Sequence, residues 1–253
     1  MSPRFEVCVD SVDGALTAQD AGAHRVELCS ALFEGGVTPS VGLMETVLGA
    51  APDIEVNVLI RPRGGDFLYD RHETSAMVRD IETAVGLGAH GIVLGALTAE
   101  GDVDLALCRR LLAATGGRSV TFHRAFDMAR DPFEALERLV GLGVDRVLTS
   151  GQDVSALEGA PLIARLVEAA GDRLVVMPGG GVTERNVARV LRLTGAREIH
   201  FSAGMTVDGP ATHRNSRALM GGTLSRNEYA RRLTSPAGVR GIITAARAEA
   251  DPA

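Results

Sequence analysis

Four residues near the start of the chain carry donor chemistry at a repeated spacing: Glu6 and Cys8 in FEVCVDS, Glu27 and Cys29 in RVELCS. Apolar residues alternate with them, Phe5, Val7 and Val9 in the first stretch, Val26 and Leu28 in the second. Neighbouring side chains of a strand point to opposite faces. Each stretch, read as a strand, therefore puts a carboxyl and then a thiol on one face. Consecutive strands of this kind are normally adjacent, about 4.8 Å apart. Two such thiols can share one soft metal ion, and thiolate pairs favour Cu(I) or zinc. The sequence has no CxxC and no closed set of four zinc ligands. A lone buried cysteine often serves only as a small apolar residue. Cys108, among the leucines of DLALCRRLL, reads that way.

Further polar groups follow other apolar runs. IRPRGGDF puts Arg61 and Arg63 around a Gly-Gly pair, and arginine suits carboxylate or phosphate recognition. FHRAFDM supplies His123, Arg124 and Asp127, with His123 an acid/base candidate. MPGGGVTERN offers Gly179, Gly180 and Gly181 before a helix that Thr183 is expected to cap. HFSAG adds Ser202. Glycines let a backbone approach an anion closely, and N–H groups at such a turn point at it.

The elements that must position these residues are legible as an alternation. Strands are expected at 5–10, 25–29, 55–61, 91–95, 119–124, 146–150, 174–178 and 198–202, each followed by an Ala- and Leu-rich helical stretch. Eight strand–helix units in 253 residues fit an α/β fold of the (β/α)8 TIM-barrel type better than an open doubly wound sheet. The whole of 1–253 reads as one domain, with a long irregular loop at 205–233 over the C-terminal mouth. Helices cover the outer face of such a barrel, so the alternating apolar set faces outward. Glu6, Cys8, Asp10, Glu27, Cys29, Asn57, Leu59, Arg61, Thr121, His123, His200 and Ser202 then face inward. Barrel interiors are usually packed with Val, Ile and Leu. A polar interior is kept either as a satisfied network, in which Arg61 answers Glu6 or Glu27, or as a site, because unpaired buried polar groups are costly. Barrel active sites sit at the C-terminal strand ends, where many of these residues fall.

A net charge of −6 argues against a nucleic-acid surface. No apolar run reaches the roughly 20 residues of a membrane span, and no secretory signal is visible at the start. Three cysteines do not make a disulfide framework. A cytoplasmic protein with reduced thiols is expected. Aromatics at 4% and the lack of Trp offer no patch for a protein partner.

The stretches EVCVDS, RVELCS, EGGVTPSVG, IRPRGGDFLY, VTFHRAFDM, DRVLTSG, MPGGGV and HRNSRALMG closely resemble the CutC family, named for copper homeostasis. The resemblance runs from about Phe5 to about Leu233 and is weakest at the final helix. It implies a (β/α)8 barrel, a cytoplasmic homo-oligomer, and Cu(I) held by the two cysteines that correspond to Cys8 and Cys29. The residues themselves leave a second reading open. This is a barrel enzyme, of isomerase, lyase or hydrolase type, acting on a small phosphorylated or carboxylated metabolite. In it Asn57, Arg61, Arg124, Gly179, Gly180, Gly181 and Ser202 hold the anion, and Glu6, Glu27 or His123 moves a proton.

Overall fold

The computed structural model describes residues 2–215, 217 and 227–250. The alternation expected from the sequence is present. It runs β1 (Arg4–Val9), α1 (Val12–Asp20), β2 (Arg25–Leu28), α2 (Val41–Ala50), β3 (Glu55–Leu59), α3 (Arg71–Gly86), β4 (Gly91–Leu94) and α4 (Leu105–Ala114). It continues with β5 (Ser119–Phe122), α5 (Pro132–Leu142), β6 (Arg146–Thr149), α6 (Ala160–Ala170), β7 (Val175–Pro178), α7 (Val187–Thr194) and β8 (Glu198–Phe201). A hairpin of β9 (Gly204–Asp208) and β10 (Ala230–Thr234) precedes α8 (Pro236–Ala250).

Each strand pairs in parallel with the next from β1 to β7, and β1 also pairs with β8. β7 and β8 lie side by side and nearly close the TIM-type barrel. Helix starts follow local chemistry. Asp70 caps α3 through the amides of His72 and Glu73, and Glu73 returns a bond to the Asp70 amide. Such reciprocal capping fixes where the chain turns from strand end to helix.

Strand parity is as expected. Phe5, Val7, Val9, Val26, Leu28, Val56, Val58, Val120, Phe122 and Ile199 belong to one buried apolar cluster with residues of the covering helices. Cys8, Cys29, Leu59 and Val93 form a separate cluster inside the barrel.

Three details differ from the sequence reading. All the barrel strands but β7 end earlier than expected, so Cys29, Arg61 and His123 lie just past β2, β3 and β5. Thr183 does not cap α7, which begins at Val187; the Asn186 side chain instead accepts from the Thr183 amide. The segment 205–233 is not all loop, since its two ends pair as β9 and β10. Exposure of most of that hairpin removes the two-sided pattern by which strands are recognised. Residues 216 and 218–226 of the segment lie outside the described residues.

Close packing also fixes the loop after β6. A Cβ at Gly159 would overlap the Ser150 carbonyl oxygen and come within 2.8 Å of the Gly151 Cα. Gly159→Ala is expected to cost about 1–3 kcal/mol by overpacking, read as a lower urea midpoint at unchanged slope.

Candidate functional site

Strand register stacks the inward polar groups in two layers. Glu6 stands opposite Arg25 on one side and His200 on the other, while Cys8 stands opposite Glu27 and Glu27 opposite Asn57.

The lower layer is an ion-pair network. The Arg25 Nε donates to Glu6, and its Nη2 donates to Glu198 Oε2 at 2.6 Å. Arg146 Nε also donates to Glu198 Oε2, at 2.6 Å, and its Nη1 reaches Thr121 Oγ1 at 3.3 Å. Asn57 Nδ2 donates to Glu6 Oε2 at 3.4 Å. The expected partner of Glu6 or Glu27, Arg61, is elsewhere: Arg25 answers Glu6. Burial alone would raise the Glu6 carboxyl, but Arg25 and His200 hold it down at about 2. Glu6, named from sequence as a proton carrier, and Asn57, named as an anion contact, are both committed to this floor.

The upper layer holds the thiols. Cys8 Sγ and Cys29 Sγ are 3.6 Å apart. Glu27 Oε2 accepts from Cys29 Sγ at 3.5 Å. Donor atoms of Cys8, Glu27 and Cys29 all lie within 4.8 Å of one another, and all three residues are buried. Above the Glu6 floor, His200 bridges the layers, its Nδ1 2.8 Å from Glu6 Oε1 and its Nε2 3.7 Å from Glu27 Oε2. A hydrogen bond from Cys29 draws the Cys8 thiol down to about 5 against burial, with His200 helping. Burial, with Cys8 and Glu27 beside it, pushes Cys29 well above the usual thiol range. Burial and the Cys8 charge push Glu27 well up. His200 is raised as well, because Cys8, Glu27 and Glu6 outweigh the burial that would lower it. Near neutral pH these shifts favour a charged Cys8 sulfur beside a charged His200 ring, with Cys29 still protonated.

The sequence reading placed His200 inside but gave it no role. A lone histidine carries no signal of its own, and only the register of β1 between β2 and β8 shows what it bridges.

The remaining candidates surround two cavities above the thiols. The wider one, of about 660 Å³, is lined by Cys8, His200, Arg124, Gly180, Gly181 and Ser202 among others, with Met205 and Arg232 from the hairpin. The smaller, of about 120 Å³, is lined by Cys8, Glu27, Arg61, Phe67, His123 and His200 among others. Arg61 donates to the carbonyls of Glu34, Gly36 and Gly65 at 2.8, 2.9 and 3.0 Å and stacks on Phe67. His123 accepts from the Ala125 amide at Nδ1, and burial together with Arg61 lowers its ring to about 3. Arg124 is held by Asp127 and Ser150, both at 2.7 Å. Gly179 serves packing, since a Cβ there would run into Leu148 and meet the His200 Cβ at 3.1 Å. Cys108 is buried core.

Comparison with known proteins agrees with this architecture. The CutC family model matches residues 4–205. A human protein named copper homeostasis protein cutC homolog is 53% identical over 236 residues, covering 93% of this chain and 86% of that one. A family protein CutC of Bacteroides thetaiotaomicron is 47% identical over 232 residues, covering 92% of this chain and 93% of its own. The crystal structure of CutC from Streptococcus agalactiae superposes with a TM-score of 0.76 at 36% identity, covering 79% of this chain and 98% of that one. The chain, with its thiol pair at the C-terminal end of a (β/α)8 barrel, belongs to the CutC family.

Proposed function

We propose that the protein serves copper homeostasis by binding Cu(I) as cargo between Cys8 and Cys29. The observation that carries this reading is the pair of buried sulfurs 3.6 Å apart, with the Cys8 thiol drawn down to about 5 by its neighbours. Metal–thiolate bonds are about 2.3 Å long, so two sulfurs on opposite sides of one ion stand about 4.6 Å apart, and about 3.8 Å apart in a tetrahedral set. The observed separation suits a bent arrangement with little movement. Soft thiolates favour Cu(I), and among the described residues the other donor side chains beside the thiols are Glu27 and His200. A carboxyl oxygen is a hard donor, which leaves Glu27 better suited to hydrogen-bond the thiols than to hold Cu(I). The names of the relatives support the same reading. It requires reduced thiols, as in the cytoplasm, and no helix among the described residues is long and apolar enough to cross a membrane.

The test is an anaerobic titration of the reduced protein against a chromophoric Cu(I) chelator. One Cu(I) per chain, competing well with the chelator, is expected; no competition would overturn the reading. The same titration has a pH signature. Above pH 5, Cys8 is already a thiolate, while Cys29 keeps its proton. Binding must then displace about one proton, so the apparent affinity is expected to rise about tenfold per pH unit between pH 6 and 8. A flat profile would mean that Cys29 is not a ligand.

A further inference from the structure

We propose that the barrel mouth holds a second site, independent of any metal. It takes a small molecule with a phosphate at one end and a carbonyl or carboxylate oxygen at the other. The phosphate rests on Gly180, Gly181, Ser202 and Arg124, and the second oxygen on Arg61 and His123.

The inner end is marked by two donors that lack acceptors. Arg61 is only 7% exposed, and among the described residues no carboxylate lies within 4.0 Å of its guanidinium. Its terminal nitrogens are used on backbone carbonyls, its Nε makes no hydrogen bond, and the Tyr69 hydroxyl, also unpaired, lies beside the guanidinium. His123 is 5% exposed. Because its Nδ1 accepts from the Ala125 amide, the neutral ring carries its proton on Nε2, and that atom too has no partner. A buried donor left unpaired costs about 1–3 kcal/mol, and a buried cation without a counter-charge costs more. Both residues line the 120 Å³ chamber. Both atoms are themselves shielded, so a ligand oxygen in that chamber accepts from them after a small side-chain shift, and it then gives Arg61 the negative charge it lacks.

The outer end is built for a dianion. Arg124 spends Nε on Asp127 and Nη2 on Ser150, which leaves Nη1 against Gly180. Gly180 and Gly181 take φ of 99° and 69°, where a side chain is disfavoured. A Cβ on Gly180 would stand 3.4 Å from both Cζ and Nη1 of Arg124, and on Gly181 2.8 Å from the Ser155 Cβ. Ser202, just past β8, and Arg232 of the hairpin line the same cavity. Glu184, the one acidic side chain on that wall among the described residues, lies against Gly241 of α8. Barrels commonly seat phosphate on the loops after strands seven and eight. The two cavities share Cys8, Gly35, Arg124 and His200 in their walls, so one molecule can reach both ends while passing over the thiols. The wider cavity, at about 660 Å³, lies within the size range of small-molecule sites.

The test uses the reduced, metal-free protein and three probes in calorimetric titrations: 2-phosphoglycolate, methyl phosphate and glycolate. In the parent, 2-phosphoglycolate is expected to bind at least tenfold tighter than either of the other two. Arg124→Gln should weaken both phosphate probes at least tenfold and leave glycolate unchanged. His123→Phe should reduce the advantage of 2-phosphoglycolate over methyl phosphate to less than threefold. Melting curves show that each variant is folded, and Ser202→Ala replaces Arg124→Gln if the latter is not. Failure of 2-phosphoglycolate to bind the parent, or to outdo methyl phosphate, overturns the proposal without reference to any variant. Because no copper is present, either result leaves the Cu(I) reading untouched.

Discussion

A Cys8→Ser, Cys29→Ser double variant will bind Cu(I) more than roughly a hundredfold more weakly than the parent while remaining folded. Changes in the groups around a metal ligand typically cost about 10–100-fold in affinity, and loss of both soft donors must cost more. The groups that remain are poor substitutes. Glu27 offers hard oxygen, and His200 has one ring nitrogen 2.8 Å from Glu6 and the other facing Glu27. Serine nearly matches cysteine in volume, so the barrel loses little packing, and both hydroxyls have Glu27 and each other within reach. The single variants separate the two sulfurs. Cys29→Ser keeps the Cys8 sulfur and leaves a hydroxyl to replace the hydrogen bond that draws Cys8 down, whereas Cys8→Ser removes that sulfur and one of the groups that keeps His200 charged. Cys8→Ser should therefore be the more damaging of the two. The measurement is chelator competition under anaerobic conditions, with far-UV circular dichroism and Tm as controls for folding. Parent-like affinity in the double variant would remove the copper site from this barrel.

Much of this site could be read from strand parity. Glu6, Cys8, Glu27, Cys29 and His200 were all placed inside by the two-residue period alone, because the helices claim the apolar face. The ion-pair partners were not found, although Arg25, Arg146 and Glu198 share the inward parity of Glu27, Leu148 and His200. All three stand at the first residue of their strands, where a charged side chain is ordinarily solvated. Only closure of the barrel brings Arg25 to Glu198, 173 residues away. Charge alone makes Arg61 a candidate partner for the carboxylates. It lies past the end of β3, above the thiol layer, where loop carbonyls reach it first. Local periodicity tells which way a side chain points and not how far up the barrel it sits, so pairings between layers stayed hidden.

The largest stability effect is expected from those hidden partners. Arg25→Met will destabilise the protein by about 3–5 kcal/mol, the usual cost of removing one member of a buried ion pair. At about 2–4 °C per kcal/mol for a chain near this size, Tm should fall by on the order of 10 °C. Methionine fills the space of the arginine stem but leaves Glu6 and Glu198 buried without the guanidinium that joins them. Glu198 keeps Arg146, and Glu6 keeps His200 and Asn57, so the layer loosens without losing every partner. The effect carries its own pH dependence. In the parent the folded Glu6 carboxyl titrates at about 2, below its ordinary value of 4.5. A depressed carboxyl contributes stability that is fully present above the unfolded value and lost as pH falls toward 2. Without Arg25 the folded value rises toward the unfolded one, and that contribution shrinks. The gap between parent and variant should therefore be widest at neutral pH and narrow steadily between pH 4.5 and 2. Urea unfolding at pH 7, 5 and 3 reads it directly. A gap below 1 kcal/mol at pH 7, or one that widens in acid, would show that the Glu6–Arg25–Glu198 chain is not what supports the thiol layer. Arg25→Lys discriminates further: it keeps the charge but cannot fork to two carboxylates, so its loss should fall between those of parent and Arg25→Met.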